Sequence, residues 1–291
     1  MKNESAKRRV SLLFSLLLLT LFALPVWADM GPKPSVTVVF DGLLERPCYA
    51  TLLSEEESTG PYSFDPQGEA PSEWMVEDDE VMGTLVWKAF RNYQDENGYF
   101  FLEWFRKLDE DQELRWTYYP PERFKVLLYF PESGIFCESS ICESYAFDSR
   151  FTAFVQNDSI VLHKSYPYGW ELVSLLIRIA ATVALEIALA PLFGFVSKQA
   201  LGVIAQANLV TQIALNIALN LINFSKGQYA FVLWHLLLEW LVFAAEAAWY
   251  CRKLPKQGQK RRTHPVLYAF LANLLSFAAG LALAVWVPGI F

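Results

Sequence analysis

Residues 166–196 read YPYGWELVSLLIRIAATVALEIALAPLFGFV, and the chain changes character within them. Tyr166, Tyr168 and Trp170 come first, aromatic side chains of the kind that settle at a membrane–water boundary. The apolar run at 172–196 follows, and it exceeds the roughly 20 residues a helix needs to cross a bilayer core. Only Arg178 and Glu186 interrupt it with charge. Three more apolar spans lie downstream, at about 201–224, 229–251 and 266–287. The connections 197–200 and 225–228 are so short that they imply antiparallel helix hairpins.

Upstream the composition inverts. Of the 291 residues 54% are hydrophobic, and the net charge of −7 conceals a segregation. Residues 29–168 hold 26 Asp and Glu against 11 Lys and Arg, which makes 11 − 26 = −15 for that segment. Basic residues gather at 2–9 and 252–262, so the part able to fold in water offers no basic face for nucleic acid.

The first 28 residues have the order of a signal peptide. Lys2, Lys7, Arg8 and Arg9 precede an apolar run over 10–24, and Val26-Trp27-Ala28 supplies small residues at the cleavage positions. That run is too short to span a bilayer, so cleavage before Asp29 is expected over an uncleaved anchor.

Within 29–168 the period-two alternation of Val36, Val38 and Phe40 predicts a half-buried strand. Further strands are expected at 48–53, 99–105, 124–130, 150–155 and 159–163. Met82, Leu85, Val86, Ala89, Phe90 and Tyr93 recur at helical spacing after a candidate N-cap at Asp79, with a turn at Asn97-Gly98. The segment 54–80 is expected as an exposed loop. The 26 aromatic residues of 29–168 suffice for its core.

The expected fold class is α+β: a small β-rich extracytoplasmic domain with one helix, at 29–168, followed by an all-α four-helix transmembrane bundle, at 169–291. The signal peptide puts 29–168 outside. Residues 252–262 then lie in the cytoplasm, and they carry six basic and no acidic residues. The external connection holds only Lys226, so loop charge agrees with the signal peptide. The expected location is the plasma membrane, with the C-terminus outside and the loop 252–264 cytoplasmic.

Three exported cysteines could form disulfides. Cys137 and Cys142 frame the turn-like Glu138-Ser139-Ser140-Ile141 and could bridge a hairpin, with Cys48–Cys137 as the alternative.

The spans carry a polar seam. Asn208, Gln212, Asn216, Asn220 and Asn223 fall on one face of the second span at ~100° per residue. His235, Glu239 and Glu246 share a face of the third, and Asn273 and Ser276 lie on the fourth. Ionisable groups in hydrocarbon turn inward and seek partners. Depth along the helices predicts an Arg178–Glu239 ion pair near His235. Glu186 and Glu246 lie deeper, and are expected to share a proton or meet the basic loop. Amide glue between helices is the structural account of the same stripe; a path for a proton, ion or small molecule is the functional one.

Catalytic patterns are absent. His235-x-x-x-Glu239 differs from the HExxH pair of zinc proteases, and His163 and His264 lie at other depths. Asp109-Glu110-Asp111-Gln112-Glu113 lacks the glycine and distal glutamate of a calcium loop. No cofactor or metal is implied.

Asp29-Met30-Gly31-Pro32-Lys33-Pro34-Ser35, Trp116-Thr117-Tyr118-Tyr119-Pro120-Pro121, Leu127-Leu128-Tyr129-Phe130-Pro131-Glu132 and Tyr145-Ala146-Phe147-Asp148-Ser149, with the spans that follow, resemble a family of signal-peptide-bearing multi-span membrane proteins from anaerobic Gram-positive bacteria. The resemblance implies bacterial origin and this domain order, and supplies no activity. The functional expectation is an extracytoplasmic binding or sensing domain on a membrane bundle, its partners the lipid bilayer and an extracellular ligand, a membrane protein or a second copy of the chain. The alternatives are a small transporter or transporter subunit using the seam, and then an intramembrane enzyme.

Overall fold

A computed structural model describes residues 33–43, 47–68, 80–108, 112–156, 159–166, 168–254 and 264–286. The expected signal peptide, the Asp79 cap, the acidic run at 109–111 and most of the basic loop fall outside them. The fold is mixed α and β, with strands leading and helices following.

The strands are β1 (Ser35–Asp41), β2 (Tyr49–Ser54), the small β3–β4 hairpin (Ser58–Thr59, Tyr62–Ser63), β5 (Phe100–Phe101), β6 (Arg106–Lys107), β7 (Glu113–Trp116), β8 (Arg123–Phe130), β9 (Ile135–Ser139), β10 (Cys142–Glu143), β11 (Asp148–Gln156) and β12 (Ser159–Lys164). Helix α1 is Glu80–Asn92. The main sheet runs β5-β2-β8-β9-β12-β11-β1-β7, parallel only at β1–β11 and β12–β9.

This curved sheet forms a half-barrel with two cores, one on each face. Val36, Val38, Ala50, Leu52, Leu114, Trp116, Phe124, Val126, Phe151 and Ala153 pack on one side. Tyr49, Leu53, Leu127 and Phe101 face the other way and take Val86, Trp87 and Phe90 of α1. Covering both faces explains why β2 is buried at every position and reads as an apolar run without alternation. In β1 the two-residue period stands, because its outer face is only half-buried.

Three strand expectations need correction. Of the segment 99–105 only Phe100–Phe101 forms a strand, β5; β6 follows at Arg106–Lys107, and the two pair with opposite ends of β2. The loop 54–80 contains the β3–β4 hairpin. The turn expected at Glu138–Ile141 is instead a bulge: Cys137 pairs with Leu128 and Cys142 with Phe124, so five steps on one strand oppose four on the other. Ser139 makes the bulge tolerable, since its Oγ accepts from the Val126 amide at 2.9 Å and donates to the Ser140 carbonyl at 2.8 Å. Cys137 and Cys142 thus lie along one partner strand, about 13 Å apart at ~3.3 Å per residue. A disulfide needs Cα atoms within about 7 Å.

Beyond the sheet come α2 (Tyr168–Leu189) with a 3-10 turn (Ala190–Phe193), α3 (Lys198–Lys253) and α4 (Pro265–Trp286). Ser197 caps α3, accepting from the Ala200 amide at 3.1 Å. At Gly227 (φ 78°, ψ 179°) α3 breaks and turns back on itself. The hydrogen bonds Asn208–Tyr250 and Thr211–Glu246 show its limbs, 198–226 and 228–253, packed antiparallel. By length and composition two helices qualify to cross a membrane, Tyr168–Phe193 and Lys198–Lys253. The four separate spans expected from hydropathy reduce to these two, because 201–224 and 229–251 belong to one helix broken at Gly227, and α4 counts as a shorter apolar helix over Pro265–Ala279.

Candidate functional site

The helices are apolar outside, and a polar seam runs through an interior that is otherwise apolar. Leu172, Leu176, Leu209, Val210, Ile217 and Leu221 are exposed, as are Val232, Trp240, Leu241, Val266, Phe270 and Leu274. The buried set includes Ser174, Glu186, Asn208, Thr211, Gln212, Asn216, Glu246 and Asn273. Helical spacing explains this sorting. Asn208, Thr211, Gln212, Leu215, Asn216 and Leu219 recur at three and four residues, so one stripe of the first limb of α3 faces inward. Alanines at 200, 207, 247, 269 and 272 let the backbones approach closely at the far end.

The seam divides into an upper and a lower cluster. In the upper one, Arg178 donates to Asn216 Oδ1 at 3.1 Å and to Ser174 Oγ at 3.2 Å. Glu239 meets His235 Nε2 at 3.2 Å, one turn away on its own limb. The direct Arg178–Glu239 pair expected from depth is therefore replaced by two separate sets. They share a cavity of about 40 Å³ lined by Arg178, Gln212, Asn216, His235, Glu239 and Ser276. That is room for a water molecule. A second cavity, of about 120 Å³, opens toward the strands among Glu171, Ser174, Arg178, Asn216, Asn220 and Asn223. Arg178 and Asn216 line both, so their hydrogen bond forms the wall between them.

In the lower cluster Glu186 and Glu246 are 1% and 0% exposed, with no solvent to stabilise charge. Glu186 Oε2 accepts from Asn208 Nδ2 at 2.6 Å and from the Tyr250 hydroxyl at 3.0 Å. The Tyr268 hydroxyl donates to the Glu186 carbonyl at 2.9 Å. Glu246 takes Thr211 Oγ1 and Asn273 Nδ2, both at 2.6 Å. Every donor here is neutral. Ser174, Thr211 and Tyr250 escaped the sequence reading, although each lies three or four residues from a seam residue; Tyr268 carries no such signal.

A charged network in the strand half was equally invisible in the sequence. Asp95, in the turn after α1, accepts from the Asn97 and Tyr99 amides at 2.8 and 3.1 Å and binds Lys125 Nζ at 2.5 Å. Lys125 also reaches Glu138 at 3.5 Å, and Glu138 accepts from the Tyr93 hydroxyl at 2.6 Å. Burial works against both charges of the Asp95–Lys125 pair, yet their mutual bond, with the amides on Asp95 and the Glu138 charge on Lys125, outweighs it. Asp95 is held below the usual carboxylate range and Lys125 above the usual ammonium range. The pair pins the turn after α1 to β8.

The two halves of the chain join at Phe147. Its carbonyl accepts from the Ser35 amide at 2.9 Å, which ties it to β1, while its own amide donates to the Phe224 carbonyl at 2.9 Å. That carbonyl belongs to the end of a helical limb, where acceptors lack partners inside the helix. Tyr145 and Tyr166 pack their rings against Phe224, at 6.3 and 5.5 Å between centroids.

Among the described residues no group of three or more His, Cys, Asp or Glu could hold a metal ion. No protein-family model matches the chain, and no curated protein matches it.

Proposed function

We propose that the chain is an integral protein of the plasma membrane whose strand domain stands outside as a binding or sensing module and conveys its state to the membrane-embedded helices. The observation that carries this reading is the Phe147 joint, which links β1 to the tip of the α3 hairpin through consecutive backbone hydrogen bonds. A domain tethered only by a linker would need no such seat.

The membrane setting is supported by the extensive apolar exteriors of α2, α3 and α4, with ionisable and amide side chains turned inward. α2 with its 3-10 turn and α3 are the helices long and apolar enough to cross, and each limb of α3 exceeds the ~20 residues that a crossing requires. Sidedness rests on the signal peptide and on the six basic residues at 252–262. Acidic character suits the outer domain to a cationic or polar ligand rather than an anionic surface.

The coupling is tested by unfolding. In the intact chain the strand domain and helices should melt in one transition; Phe147→Pro, which removes the amide that donates to the Phe224 carbonyl, should separate it into two. A single, unshifted transition in that variant would count against the coupled-domain reading.

A second reading has its own observation. The two cavities that meet at the Arg178–Asn216 bond trace a polar route from the strand side toward His235 and Glu239. This favours passage of a proton or very small solute, with Arg178 as the barrier. Its test is a proton-flux assay in vesicles: Asn216→Ala should raise the flux, and an unchanged rate would dismiss the route.

A further inference from the structure

We infer that Glu186 is a proton-binding site, holding one proton on its Oε1 oxygen while Glu246 remains the charged member of the pair. The inference goes beyond the proposed function and stands whichever side of a membrane the strands occupy.

A carboxylate is an acceptor only, and a carboxamide carries both an acceptor and donors. Glu186 Oε1 and Asn208 Oδ1 are both buried, and neither has a hydrogen-bond partner among the described residues. Meanwhile Asn208 Nδ2 faces three acceptors at once: Glu186 Oε2 at 2.6 Å, the Tyr250 oxygen at 3.0 Å and the Ile204 carbonyl at 3.1 Å. The cluster is thus short of donors and long on acceptors. One added proton on Glu186 removes a buried charge and supplies the missing donor together.

The proton belongs on Glu186 rather than Glu246 because their surroundings differ. Both oxygens of Glu246 are satisfied, one by Thr211 and one by Asn273. Only one side-chain oxygen of Glu186 is. Two adjacent buried carboxylates do not both ionise, and the proton goes to the one whose charge is less well solvated.

The groups facing Glu186 are Asn208, Glu246 and Tyr250 from α3 and Tyr268 from α4; Glu239 acts on Glu246 from further along the same limb. None is basic, and no Lys, Arg or His among the described residues pairs with either glutamate. A buried carboxylate lacking a cation costs far more than a neutral acid.

The experiment is infrared spectroscopy of the purified full-length protein in detergent at neutral pH. The wild-type chain should show the carbonyl stretch of one protonated carboxyl group. Glu186→Gln should remove it and melt within a few degrees of wild type, because a neutral amide replaces a neutral acid; Glu246→Gln should leave it in place. Lack of the band in wild type, its loss only with Glu246→Gln, or failure of Glu186→Gln to fold would each overturn the assignment. Sodium-dependent replacement of the band would assign the orphan oxygens to a cation instead.

Discussion

The ring of Phe147 occupies the space that a side chain on Gly227 would fill, while the Phe147 amide closes the carbonyl of Phe224 at 2.9 Å. A residue beside the first core strand thus determines which amino acid the helix hairpin can carry at its tip.

Gly227 has φ 78° and ψ 179°, a conformation essentially confined to glycine, in which another residue costs about 1–3 kcal/mol. Gly227→Ala should destabilise the protein by at least that range, since its methyl group also meets the Phe147 ring. Thermal unfolding in detergent measures the loss. Adding Phe147→Ala should recover the steric part and leave the backbone part, a coupling that a double-mutant cycle resolves.

Asp95→Ala leaves Lys125, only 3% exposed, without its partner. Loss of one member of a buried pair costs about 3–5 kcal/mol. Replacing both, as in Asp95→Ala with Lys125→Met, should cost clearly less. Denaturant titration of the three variants makes the comparison, and equal losses would deny the pair its role.

The same pair sets a pH window. Asp95 is held below the usual carboxylate range, so its contribution is complete above ~4 and vanishes as pH falls through its lower, folded-state value. Lys125 is held above its usual range, so its contribution is complete below ~10 and is lost as pH rises through its folded-state value. Stability measured against pH should therefore form a plateau falling at both extremes, and Asp95→Asn should flatten the acid limb.

Some of this was legible in the sequence for identifiable reasons. Val36, Val38 and Phe40 declare β1 because the strand has one wet face. The Asn208, Gln212 and Asn216 stripe is visible because four-residue spacing survives any tertiary context. What stayed hidden depends on partners far apart in the chain. Lys125 meets Asp95 only because β8 lies beside the turn after α1, and pairing register is not written locally. The Ser139 bulge reads as a turn, since Ser-Ser serves either purpose. Depth along the helices puts Arg178 level with Glu239, but depth does not set azimuth; Asn216 takes the guanidinium instead.

The cysteines should differ sharply in reactivity. Burial pushes the Cys48 thiol up to about 11, with Cys137 nearby adding to the effect. That leaves roughly 100-fold less thiolate than an ordinary thiol has at neutral pH. Cys251 is exposed at the end of α3. Maleimide kinetics on the detergent-solubilised protein, read by mass spectrometry, should show Cys251 modified first and Cys48 only after unfolding.

Cys251 also decides the account as a whole. Lys226, at the hairpin tip against the strand domain, and Cys251, at the far end of the second limb, should lie on opposite sides of a membrane. In a Cys142→Ser background, a membrane-impermeant maleimide applied to intact cells should label Lys226→Cys and leave Cys251 untouched until the membrane is permeabilised. Labelling of Cys251 from outside, at a rate matching that of Lys226→Cys, would contradict the account.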